Sequence, residues 1–90
     1  RTRLAARAAL VIDDGVLADA IADGTARRVG VPRGQVRVTV GRRTVLIRVT
    51  PTSGVPVDAD AAGDAALRVL DETGFRLSPR VQVAREGVIA

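Results

Sequence analysis

Gln35–Thr50, QVRVTVGRRTVLIRVT, holds the clearest period in the chain, and the fold is read outward from it. Val36, Val38 and Val40 alternate with Arg37 and Thr39; the chain pauses at Gly41-Arg42-Arg43; Val45, Ile47 and Val49 then alternate with Leu46, Arg48 and Thr50. A period of two sends successive side chains to opposite faces, so the stretch predicts a β-hairpin. One face is all Val and Ile, whose β-branched side chains suit a pleated, half-buried surface. The opposite face carries two arginines.

Downstream, Pro51–Val57 is too rich in Pro, Gly, Ser and Thr to be regular. A helix then runs from Asp58 or Asp60 to about Glu72, with Ala62, Ala65, Ala66, Val69 and Leu70 as its apolar stripe and Gly74 at its end. Pro79 enforces extension before it, and 80–85 reads as the last strand, with Val81 and Val83 turned inward.

Upstream, Gly30-Val31-Pro32-Arg33-Gly34 is a turn that closes a helix over about Gly15–Val29. It is not a phosphate-binding loop, which would follow a strand and open a helix. Val16, Leu17, Ala20, Ile21 and Gly24 line one side of that helix, with Asp19, Asp23 and Arg27 on the other. Asp23–Arg27 and, in the second helix, Asp64–Arg68 are acid-first pairs four apart. Gly24 in mid-helix suggests a close approach of helix to sheet, or a kink. Ala9–Ile12, ALVI, is either part of one long first helix or a short buried strand. The strand is favoured, because Asp13 and Asp14 are costly inside a helix and favourable at its start.

The elements run (β)αββαβ and predict an α+β domain: a small antiparallel sheet with two helices packed on one face, ferredoxin-like if the first strand is real. Residues 1–90 form one domain. Its first residue is Arg rather than Met, and the expectation is of a domain excised from a longer protein. With both helices on one side, the other sheet face is open. It should carry Arg37, Leu46, Arg48, Arg80 and Gln82, with Leu46 the exposed leucine on a basic, nearly flat surface. These residues are the candidate partner face, and Arg33, Arg42 and Arg43 are candidate anion contacts.

Composition narrows the chemistry. There is no Cys, His, Tyr or Lys, which removes disulfides, thiol and imidazole catalysis, and the usual zinc ligand sets. Ser53 and Ser78 have no histidine to activate them. Asp58, Asp60 and Asp64 do not have calcium-loop spacing. The reading is therefore non-enzymatic, with no metal, cofactor or small-molecule substrate. All 14 basic residues are Arg and the net charge is +4, as a GC-rich coding bias would also produce. That charge attracts an anionic partner, whether protein, nucleic acid or lipid. Sheet surfaces that read single-stranded RNA stack bases on aromatics, and this chain has only Phe75. A protein partner or self-association is therefore expected ahead of nucleic acid.

Several local motifs resemble the alkaline shock protein (Gls-type) envelope stress response family and related small actinobacterial domains. RTRLA at 1–5 is similar to that family's opening, and LADAIADGTARRVGV at 17–31 to its helix end. The hairpin with Gly54-Val55-Pro56-Val57, and Val69–Val83 with its ETGF, are similar to the remaining segments. The resemblance implies a non-enzymatic interaction or scaffolding module of the cell envelope. It also implies a cytoplasmic setting at the inner face of the membrane, reached through an anchor or a segment outside this chain. The family has no catalytic or ligand residues to carry over.

Overall fold

The computed structural model describes residues 13–84. Helix α1 spans Asp14–Val29 and is followed by a 3-10 turn, Arg33–Gln35. Strands β1 (Val36–Val40) and β2 (Thr44–Val49) come next, then helix α2 (Ala59–Thr73) and strand β3 (Ser78–Val83). The expected strand at 9–12 and the tail from Glu86 to Ala90 lie outside the described residues.

Both helices are bounded as their sequences dictate. The Asp13 carboxylate accepts from the Val16 amide at 2.8 Å, and that of Asp58 from the amides of Asp60 and Ala61. Each therefore satisfies donors that the first helical turn leaves unpaired. Gly30 and Gly74 end the helices at φ of 76° and 82°, a left-handed conformation that glycine takes without steric cost.

The three strands form one sheet in the order β1-β2-β3. β1 and β2 are the antiparallel hairpin, with Val36 opposite Val49 and Val40 opposite Val45. A hydrogen bond donated by the Thr50 amide to the Gln35 carbonyl, 2.8 Å, carries the pairing one step further. β3 lies beside β2 and runs parallel to it, so the sheet is mixed rather than wholly antiparallel. The cause is the connection: α2 returns the chain to the end of the sheet where β2 began, and the next strand laid beside β2 must run its way.

Both helices pack on one face of this open sheet. The core between the layers is Leu17, Ile21, Val45, Ile47, Val49, Ala66 and Leu70, each essentially without solvent exposure. Val38, Val40, Val81 and Phe75 are partly buried against it. Val83 shares a row with Val49 on the inward face, yet remains 37% exposed at the sheet's edge.

α1 is turned slightly from the expected orientation. Leu17 and Ile21 are buried as read, but Ala22, Thr25 and Ala26 complete the stripe, while Val16 is 52% exposed and Ala20 is also exposed. The rotation brings Gly24 to the neighbouring helix, not to the sheet. A β-carbon there would stand 3.5 Å from Val69 Cγ2, an ordinary contact. It also buries Thr25 completely, with no hydrogen-bond partner for its hydroxyl among the described residues. Among those residues the ion pairs are both made by Arg33, so Asp23 is joined to Arg33 rather than to Arg27, and Asp64 is not joined to Arg68.

Candidate docking face

The register assembles the open face in rows. Arg37, Arg48 and Gln82 stand side by side across the three strands; Thr39, Leu46 and Arg80 form the next row; Thr44 and Ser78 follow. Their neighbours along each strand are the Val and Ile that face the helices, so the alternation of the sheet holds all five expected partner residues on one surface. Arg37, Arg48, Arg80 and Gln82 are exposed. Leu46 is half-buried rather than exposed, because it occupies the central strand with a neighbour on each side.

Two candidate anion contacts sit at the tip of this surface. Arg42 and Arg43 are exposed in the hairpin turn, which is closed by Gly41 donating to the Thr44 carbonyl at 2.8 Å. The Arg43 carbonyl accepts from the Ser78 amide at 2.9 Å and fastens the turn to β3. Thr44's carbonyl would lie only 3.1 Å from a β-carbon at position 41, so glycine is the residue that fits there.

Arg33 does not belong with them. Its Nε donates to Asp23 Oδ1 at 2.8 Å, one terminal nitrogen to Asp19 Oδ1 at 3.1 Å and the other to the Val36 carbonyl at 3.2 Å. The 3-10 turn places the guanidinium beside two carboxylates one helical turn apart, and it clamps α1 to the start of β1. Its charge is offset within the chain, which corrects its reading as an anion contact.

The electrostatics of the face are one-signed. Neither 30–57 nor 74–84, the segments that build the sheet and its loops, contains an Asp or Glu. All nine carboxylates of the described residues lie on the helices or their caps, and all are exposed. Arg37 stands directly opposite Arg48 in the antiparallel pair, where Cα atoms lie about 4.5–5.5 Å apart. Like charges so placed destabilise a sheet. Neither arginine has a carboxylate partner among the described residues. Arg80 lies one strand and one row from Arg48, about 8 Å away by strand spacing and rise. An anionic group settling among the three would relieve the repulsion and gain charge-assisted hydrogen bonds.

The helix layer holds a groove that periodicity alone did not reveal, of about 380 Å³, between α1 and α2. Gly24, Ala65 and Val69 contribute apolar surface to it, while Arg27, Arg28 and Arg68 are accompanied by Asp64 and Glu72. Opposite charges meet within it, so it lacks the one-signed character of the sheet face. No group of metal-ligating side chains gathers among the described residues, and no helix there is long and apolar enough to cross a membrane. No protein-family model, curated protein or solved structure matches the chain, so the reading of the face rests on its own geometry.

Proposed function

We propose that the chain is a non-enzymatic interaction module that receives an acidic protein surface on its open sheet face, in the envelope setting that the family resemblance implies. The observation that carries this is the Arg37–Arg48 cross-strand pair on a face to which the described residues bring no carboxylate. Such a pair weakens the isolated sheet and is relieved by an anionic partner. Leu46, half-buried at the centre of the face, supplies an apolar contact that a purely ionic surface would lack.

A titration tests the reading. Labelled polyglutamate should bind the wild-type chain at low salt, bind Arg48→Glu weakly, and be released as salt rises. No binding at low salt would refute it. The second reading, nucleic acid, is favoured by one feature: Arg42 and Arg43 extend the basic surface past the strands, where phosphates could follow them. The absence of aromatics on the face favours the protein partner. A mixed-sequence oligonucleotide run beside polyglutamate, and bound in its place, would reverse the order.

A further inference from the structure

The acidic surface that this face fits is present in the chain itself. Along α2, Asp60, Asp64, Leu67 and Asp71 are spaced by four, three and four residues, which at 3.6 residues per turn places them in one narrow stripe. The buried residues of the same helix, Ala62, Ala66 and Leu70, lie on another side. All four stripe residues are exposed, with Leu67, in the middle, 45% exposed; Arg68 flanks the stripe on the side of the groove between the helices, so the acids of the stripe outnumber the one basic residue beside it by three to one. A leucine with two aspartates on one side and one on the other is the counterpart of Leu46 among Arg37, Arg48 and Arg80.

The dimensions agree. Asp64 and Asp71 are about 10 Å apart along the helix axis. Arg37 and Arg80, two strands and one row apart, are separated by about 12 Å at their Cα atoms, a difference that arginine side chains span easily. Resting on the reading of the sheet face as a dock for an acidic protein surface, we infer that its partner is α2 of a second copy of this chain, with Leu67 seated on Leu46. Within one molecule the helices cover one face of the sheet and the dock is the other. Two copies related by a two-fold axis therefore cannot fill both docks at once, and the contact is head-to-tail: each copy added leaves one dock and one stripe free.

Sedimentation of the 90-residue chain over a wide concentration range tests this. At about 0.1 M salt the mass should rise above 9.4 kDa with concentration. At about 1 M, where the screening length falls to about 3 Å, it should return to the monomer. Arg48→Gln with Arg80→Gln removes the dock; Leu67→Gln with Asp71→Asn removes the stripe. All four positions are exposed, so both variants should fold, which far-UV circular dichroism checks. Each variant alone should remain monomeric. Their mixture should form a complex of one copy of each and stop there, since only one intact dock and one intact stripe can meet.

A wild type that stays monomeric, a single variant that still associates, or a mixture that does not would each overturn the inference. If the wild type is monomeric yet binds polyglutamate through Arg48, self-docking falls and the acidic-partner reading stands. If it captures an oligonucleotide and not polyglutamate, or captures neither, both fall.

Discussion

Replacing Arg37 with glutamate should make the isolated domain more stable and its dock weaker. Position 37 is directly opposite Arg48 on the open face, and among the described residues no carboxylate of the sheet moderates the pair. Cross-strand charge pairs contribute roughly 0.2–1 kcal/mol when opposite in sign and cost a comparable amount when alike. Arg37→Glu reverses the sign, so the two contributions add. Both side chains are exposed, and solvent screening holds the sum of the two, roughly 0.4–2 kcal/mol, to its lower part, about 0.5–1 kcal/mol. For a domain of this size that corresponds to a rise in Tm of about 2–8 °C. The chain has no Trp or Tyr, so unfolding is followed by far-UV circular dichroism. Arg37→Gln, which removes the repulsion without adding attraction, should gain about half as much, and both gains should shrink at about 1 M salt. Binding of polyglutamate should fall in the same variants. An Arg37→Glu protein no more stable than wild type at low salt would refute the argument that the pair is a cost. One more stable but equally able to bind would separate the pair from the dock.

Four further substitutions test the architecture by urea or thermal unfolding. Thr25→Val keeps the shape of a fully buried side chain while removing a hydroxyl with no partner, and should stabilise by about 1 kcal/mol; a less stable protein would show that the hydroxyl is satisfied. Gly24→Ala and Gly63→Ala meet Val69 and Val81 at ordinary contact distances of 3.5 and 3.8 Å, so each should gain up to about 1 kcal/mol from helix propensity. A loss at either site would mean that the methyl does not fit. Arg33→Ala releases α1 from β1; with the Arg33 side chain 44% exposed, its two ion pairs together with the bond to the Val36 carbonyl should be worth about 1 kcal/mol at low salt and less at high salt. An effect independent of salt would contradict the clamp.

The parts of the fold legible in the sequence are those that local chemistry decides. The period of two in 36–49 assigns Arg37, Leu46 and Arg48 to one face and Val45, Ile47 and Val49 to the other. Asp13, Asp58, Gly30 and Gly74 mark the helix ends by satisfying, or freeing, particular backbone groups. Whether β3 pairs parallel or antiparallel depends instead on which strand it adjoins: with its direction set by the α2 connection, it would be antiparallel beside β1 and is parallel beside β2, and its own alternation is the same in either place. The orientation of α1 is likewise set by two neighbours, the sheet beneath it and α2 alongside, so Thr25 is buried where an isolated amphipathic helix would have buried Ala20. Arg33 is 14 residues from Asp19 and 10 from Asp23, and only the 3-10 turn brings the three together. The acidic stripe of α2 has an ordinary helical spacing. Its interest lies in Leu67, whose exposure is decided by how the helix sits on the sheet.

A biased coding composition accounts for the use of arginine in place of lysine, but it does not distribute charge between layers. Helix capping accounts for Asp13 and Asp58, which hydrogen-bond the first-turn amides, and the clamp accounts for Asp19 and Asp23. Neither explains why the sheet segments carry no carboxylate, for an acid on the open face opposite Arg37 or Arg48 would have been both exposed and stabilising. Nor does either explain Asp64 and Asp71, which cap nothing and have no ion-pair partner among the described residues. Among the charges that capping and the clamp leave without a partner are the arginines of one surface and the aspartates of the opposite layer, each set beside a leucine that the fold leaves incompletely buried. The inferred contact between copies would account for Arg37, Arg48, Arg80, Asp64 and Asp71 together. It would also explain why a domain with so few large core side chains keeps Arg37 facing Arg48, where a single neutral residue would make the isolated molecule more stable.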